Sequence, residues 1–104
     1  MQDILQYTDF GLCSKVDTLA PEQLFAIETL LAKLPHKLLT RVTDINEDEI
    51  VVRTQLFDNM FIIVYNREVT NEYKWTISSS KQAPTCATTY EEVELFINMY
   101  NKYF

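Results

Sequence analysis

Hydrophobic residues in this chain repeat with helical spacing in one segment and alternate with polar residues in the next. Leu24, Ile27, Leu31 and Leu34 follow one another at intervals of three, four and three residues, which indicates one apolar face of an amphipathic helix. From Leu38 onward the spacing changes to two, which is typical of strands with one buried face. This succession predicts an α+β fold.

The first predicted helix spans about residues 21–34. Pro21 suits the first helical position, and Glu22 lies in the first turn, where the helix dipole favours an acidic side chain. Pro35 ends the helix. We expect its apolar stripe to pack on the protein's own sheet, the alternative being a groove on a partner.

The second predicted helix spans about residues 89–104. Thr89 and Glu92 have the spacing of a capping box, in which each side chain reaches the backbone N–H of the other residue. Apolar side chains then recur on one face, at Val93, Phe96, Ile97, Tyr100 and Phe104. The pattern therefore predicts an amphipathic helix that reaches the C-terminal residue.

A four-stranded antiparallel meander is predicted between the helices, with strands at residues 38–45, 49–57, 60–65 and 72–78. Polar turns are expected at 46–48 and at Asp58-Asn59. Residues 78–88, which are polar and contain a proline, are expected to form a long loop. Residues 1–17 are expected to form a short helix or an irregular packed arm. Both helices are expected on one face of the sheet, in a single domain of residues 1–104.

The third strand is apolar on both faces, so we expect its second face also to be covered, by another part of the chain or by another protein. If the helices cover the face that carries Ile50, Val52 and Trp75, one alternating set of the third strand lies on the opposite face. That set is either Phe61, Ile63 and Tyr65 or Met60, Ile62 and Val64. An apolar patch of this kind would be an interface, unless residues 1–17 fold across it.

Composition restricts the partners of the chain. Its 9 Lys and Arg against 15 Asp and Glu leave a formal charge of −6, which repels nucleic acid and anionic membranes. The basic residues are scattered singly, so we expect no direct nucleic-acid binding and a basic protein as partner. No apolar run approaches the roughly 20 residues of a membrane span. Cys13 and Cys86 are far apart and no signal-peptide pattern precedes them, so a cytoplasmic protein with reduced thiols is expected.

Enzymatic and metal chemistry find little support in the sequence. A single glycine excludes phosphate-cradling loops. Asp44, Asn46 and Asp48 match the first three positions of a calcium loop, but the sixth position is Glu49 and the twelfth is Gln55. His36 is the only histidine, and Cys13 and Cys86 lie in no metal-binding or nucleophile motif. We therefore expect no enzyme activity, no cofactor and no metal.

Two acidic segments and a few apolar side chains are the candidate partner-binding residues. The acidic candidates are Asp44, Glu47, Asp48, Glu49, Glu91, Glu92 and Glu94, and the apolar or aromatic candidates are Ile62, Val64 and Tyr103. They favour a small acidic, non-enzymatic protein-binding module.

A more specific hypothesis is an inhibitor that blocks the basic nucleic-acid groove of a nucleic-acid-processing enzyme. In size, acidity, tyrosine content and scarcity of glycine, the chain resembles small phage-encoded anti-defence proteins, with no motif that assigns roles to residues. The alternative is a homodimeric structural or regulatory protein that associates through an exposed sheet face.

Overall fold

The computed structural model describes residues 3–8, 10–34, 39–56, 59–67, 74–80 and 82–103. Two 3₁₀ turns, Asp3–Tyr7 and Phe10–Leu12, begin the chain. The helices and strands follow in the order α1 (Cys13–Val16), α2 (Pro21–Lys33), β1 (Leu39–Ile45), β2 (Glu49–Leu56), β3 (Asn59–Asn66), β4 (Trp75–Ser79), β5 (Gln82–Ala87) and α3 (Tyr90–Tyr103).

The strands form one antiparallel sheet in the order β1-β2-β3-β4-β5, so each strand pairs with its neighbour in sequence. β2 and β3 pair without interruption from Glu49 opposite Asn66 to Leu56 opposite Asn59. β1 carries an irregularity between Val42 and Asp44, where the register shifts by one residue. The predicted α+β class and antiparallel meander are confirmed, with five strands instead of four.

The fifth strand lies in the segment that was expected to be a loop. Residues 83–86 are exposed, and Pro84 lies in the middle of the strand. β5 is an edge strand, where a proline without an N–H is tolerated because one side of the strand has no partner. Its low content of β-branched residues explains why the sequence did not predict a strand at these positions. The loop prediction for 78–88 is therefore wrong for residues 82–87.

The core lies between the two long helices and one face of the sheet. Val52, Phe61 and Ile63 of the sheet are fully buried together with Ile27 and Ile97 of the helices. The rings of Phe61 and Phe96 meet edge to face with centroids 6.4 Å apart, a favoured aromatic geometry. The prediction that both helices cover one sheet face is confirmed.

The opposite sheet face, here called the open face, carries Val51, Met60, Ile62 and Val64, all half-buried. Of the two alternatives for β3, the set of Met60, Ile62 and Val64 points outward, while Phe61, Ile63 and Tyr65 point into the core.

The described residues of the N-terminal arm do not cross the open face, which was the second alternative. The described part of the arm packs against α2 and β1. Ile4 and Val16 enter the core, and Thr8 forms a parallel bridge to Val42.

Several sequence predictions fall on residues outside the described part of the chain. They concern the exact ends of the first, second and fourth strands, the turn residue Asp58, the helix-ending Pro35, His36 and Phe104, the last residue of the second predicted helix.

Candidate protein-binding site

The sheet register brings the two predicted acidic segments to the same end of the molecule. Ile45 pairs with Ile50, Ile50 with Tyr65, Tyr65 with Trp75, and Trp75 with Ala87. The β1–β2 turn and the start of α3 both follow this row of residues. At about 4.8 Å per strand, they are separated by about 15–20 Å across the sheet.

Glu22, which is not among the predicted binding residues, lies between the two segments. Its neighbour Gln23 is hydrogen-bonded to Arg67, just beyond the end of β3. Glu22 also acts electrostatically on Tyr65, the β3 residue of the same row. Asp17 is exposed nearby, next to Thr18, whose carbonyl accepts a hydrogen bond from Arg67. An acidic residue in the first turn of α2 was visible in the sequence, but its position over β3 was not.

We define the acidic end as Asp17, Glu22, Glu47, Asp48, Glu49, Glu91 and Glu92. All are exposed except Glu49, which is half-buried. None of them forms an ion pair with another residue in the described ranges; the ion pair found there joins Lys33 and Glu94. These carboxylates therefore lie at the surface without an ion pair, and Lys15 and Arg67 line the cleft beside Glu47.

Asn46 shapes the turn that carries Glu47, Asp48 and Glu49. Its Oδ1 accepts hydrogen bonds from the backbone N–H groups of Asp48 and Glu49, at 2.8 and 2.9 Å. Its backbone N–H donates to the carbonyl of Glu49 at 3.0 Å. This side-chain-to-backbone pattern is an Asx-type turn, so the acidic residues project from a fixed loop.

Arg67 holds the turn against the rest of the acidic end. Its guanidinium donates to the carbonyl of Asn46 at 2.7 Å, the carbonyl of Thr18 at 3.0 Å and Oε1 of Gln23 at 3.2 Å. Its backbone N–H donates to the carbonyl of Asp48 at 2.8 Å. The cation is thus bound by neutral oxygens, and the carboxylates beside it stay free of a direct ion pair with it. A cleft of about 550 Å³ next to this residue is lined by Lys15, Thr18, Ile45, Asn46, Glu47 and Arg67.

The start of α3 is capped differently from the predicted capping box. Thr89 Oγ1 accepts a hydrogen bond from the N–H of Glu92 at 3.3 Å, as predicted. The Glu92 carboxylate, however, accepts from Thr88, through Oγ1 at 2.7 Å and N–H at 3.1 Å, instead of from the N–H of Thr89. These hydrogen bonds, with that from the hydroxyl first, hold the pKa of Glu92 below its usual value. Glu92 is therefore charged and oriented at the helix start.

Two predicted acidic candidates are engaged within the protein. Asp44 accepts a hydrogen bond from the side chain of Asn46 at 2.8 Å. Glu94 lies 4.0 Å from the ammonium of Lys33, which also lies 5.8 Å from the ring centre of Tyr90. Because Lys33 compensates the charge of Glu94, and because Asp44 lies within β1 instead of in the turn, neither is counted in the acidic end.

Two of the predicted apolar candidates, Ile62 and Val64, do not join the acidic end. Ile62 and Val64 lie on the open face, on the third strand. Tyr103 belongs to the last turn of α3, and its side chain lies outside what the structure describes. Ile62 and Val64 thus lie apart from the acidic end, on the sheet face that also carries Asp44.

Tyr65, in the same row of the sheet, lies in the core. Tyr65 is buried against Trp75, with ring centroids 4.8 Å apart. Burial, reinforced by Glu22 and opposed by Arg67, raises the pKa of its hydroxyl. A neutral tyrosine of this kind is a core residue with a polar tip. Among the residues the structure describes, no group of three or more His, Cys, Asp or Glu side chains could hold a metal ion.

Comparisons with protein-family models, with curated proteins and with solved structures find no match to this chain. In the described ranges, no helix has both the length and the apolar character needed to span a membrane.

Proposed function

We propose that this protein is a small acidic, non-enzymatic protein-binding module that presents its acidic end to a basic groove on a partner. The single observation that carries the proposal is the placement of two acidic segments and Glu22 at one end of the sheet. Exposed carboxylates without ion pairs attract a basic surface at long range and favour its rapid association.

The partner class follows from the spacing of the charges. The turn and the start of α3 are separated by about 15–20 Å. Charges at this distance match an elongated groove that holds a nucleic-acid chain better than they match a pocket for a small molecule. Basic grooves of this kind occur in enzymes that bind nucleic acid through its phosphates. We therefore propose a nucleic-acid-processing enzyme as target, blocked in the manner of a phage anti-defence inhibitor, in the cytoplasm.

The test is affinity capture of the tagged full-length chain from a host lysate, followed by mass spectrometry. We expect a basic nucleic-acid enzyme to be recovered and to be released by added salt or by a DNA duplex, since both compete for the groove. Recovery that is insensitive to both additions would contradict the proposal.

A matched pair of variants tests whether the acidic end makes the contact. Glu47→Gln with Asp48→Asn removes two negative charges from it, and we expect capture to fall about tenfold, equivalent to about 1.4 kcal/mol. Ala32→Lys with Thr85→Lys changes the net charge equally at exposed positions on α2 and β5. This control should capture the enzyme as the wild type does. An equal loss of capture in both variants would show that capture depends on net charge alone, which would contradict a contact through the acidic end.

A further inference from the structure

The cleft beside the β1–β2 turn is lined by side chains of both charges. Its volume of about 550 Å³ lies within the range of about 300–1,000 Å³ that is usual for small-molecule sites. Lys15 and Arg67 contribute positive charges, and Glu47 contributes a negative charge. Ile45, which belongs to the core, contributes an apolar side chain. The cleft therefore offers a small ligand contacts of three chemical kinds.

The opposite charges of this cleft are not paired with each other. Neither Lys15 nor Arg67 forms an ion pair with Glu47 or with another residue that the structure describes. Opposite charges that line one cleft without pairing match a ligand that carries a negative and a positive group of its own. Such a ligand brings no net charge to a protein of formal charge −6, whereas a simple anion would be repelled by it. The charges of the cleft thus favour a zwitterion.

Arg67 is fixed in place for contact with a carboxylate. Its guanidinium donates to the carbonyls of Asn46 and Thr18 and to Oε1 of Gln23. These three acceptors are neutral, so the positive charge of the guanidinium is not compensated by them. Each terminal nitrogen carries a second N–H besides the one that donates to a carbonyl. A carboxylate in the cleft can accept from these groups and from the ammonium of Lys15.

We infer that this cleft binds a small zwitterion with the chemistry of an aliphatic amino acid. The ligand carboxylate accepts hydrogen bonds from Arg67 and Lys15, its ammonium donates to Glu47, and its aliphatic part lies over Ile45. Lys15 and Glu47 are exposed, and exposed ion pairs are weak, so we expect a dissociation constant of about 1 mM. The inference does not rest on the proposed function, because binding is measured on the protein alone.

A second cleft of about 600 Å³ serves as an internal control. Among its described lining residues, Lys33 is accompanied by Glu91, Glu92 and Glu94. The ammonium of Lys33 already lies 4.0 Å from Glu94, and the carboxylates outnumber the cation. We therefore expect this second cleft to leave the carboxylate of a zwitterion unbound.

An NMR titration of the isotope-labelled full chain with L-leucine near neutral pH tests the site. We expect saturable shifts of the backbone amide signals of Thr18, Asn46 and Glu47, with half-saturation at about 1 mM. The signals of Thr89 and Glu94, in the second cleft, should not shift in this way. Isocaproate lacks the ammonium of leucine, and isoamylamine lacks its carboxylate. Each of these two probes should bind about tenfold more weakly than leucine, because each loses one of the two charge contacts.

Matched substitutions test which side chains form the site. Lys15→Met removes the ammonium and Glu47→Gln removes the carboxylate, and each should weaken leucine binding about fivefold. Lys33→Met and Glu94→Gln make the same changes in the second cleft and should leave leucine binding as in the wild type. Arg67 is kept in all variants, because its hydrogen bonds hold the β1–β2 turn. The amide spectrum of each variant shows directly whether it is folded.

Three results would overturn the inference. The first is the absence of saturable shifts in the cleft at about 20 mM leucine, far above the expected constant. The second is binding of isocaproate or isoamylamine as strong as that of leucine, which would show that the two charges are not read together. The third is an equal loss of binding in Lys15→Met and Lys33→Met, which would place the ligand outside this cleft.

Discussion

Arg67 joins three segments of the chain that are distant in sequence. Its guanidinium binds Asn46, Thr18 and Gln23, which belong to the β1–β2 turn, the segment before α2 and the first turn of α2. The sequence did not predict this role, because a single arginine directly after an apolar strand is expected to be an ordinary exposed residue at the strand end. Asn46 was more predictable, since its action on the turn is local.

We expect Arg67→Met to lower the free energy of unfolding by about 2 kcal/mol, because hydrogen bonds to a charged group are lost together. Urea denaturation measures the change. Lys15→Met is the matched control, since it removes the same charge from the same cleft and should change stability by less than about 0.5 kcal/mol. Equal changes in the free energy of unfolding for the two substitutions would show that the positive charge of Arg67, and not its hydrogen bonds, stabilises the protein.

At the scale of elements, hydrophobic spacing located the two long helices and the first four strands. It failed for β5, because an edge strand with Pro84 and exposed residues 83–86 has no alternation to detect. It also predicted a capping box in which the Glu92 carboxylate accepts from the N–H of Thr89. In the structure the carboxylate accepts from the N–H and the hydroxyl of Thr88, the residue before Thr89. Which of two adjacent threonines meets the carboxylate depends on backbone geometry at the β5–α3 junction.

The pH dependence of stability tests the Glu92 contact. Because its folded pKa is lowered from the usual 4.5, its stabilising contribution is present above pH 4.5 and is lost as the pH falls through the folded value. We therefore expect Glu92→Gln to be less stable than the wild type near neutral pH, with a difference that shrinks below pH 4.5.

Glu91→Gln is the control for this comparison, measured by urea denaturation across the same pH range. Glu91 lies in the same helical turn and therefore experiences the same helix dipole without the Thr88 contact. A pH-independent difference for Glu92→Gln, or an equal pH effect for Glu91→Gln, would contradict the assignment.

At the scale of the molecule, the N-terminal arm completes the core. Ile4 is fully buried, and its backbone N–H donates to Glu28 of α2 at 3.3 Å. Irregular apolar spacing in residues 1–17 indicated a packed arm but not where it packs. The described part of the arm lies against α2 and β1.

We expect Ile4→Ala to destabilise the protein by about 2–4 kcal/mol, the usual cost of truncating a buried isoleucine. Thermal or urea unfolding of the full chain measures this change. Leu95→Ala, at a position 59% exposed on α3, should stay within about 0.5 kcal/mol. A negligible effect of Ile4→Ala would mean that the arm is not part of the cooperative core.

The sequence by itself determined the α+β class, the two amphipathic helices and the inward face of β2, because these follow from side-chain spacing within short segments. It also determined the surplus of negative charge. Only the tertiary structure decided that Met60, Ile62 and Val64 face outward, that β5 completes the sheet, and that Glu22 lies between the two acidic segments. These features depend on strand register and helix placement, which bring together residues far apart in the chain, and local spacing carries no record of such pairings.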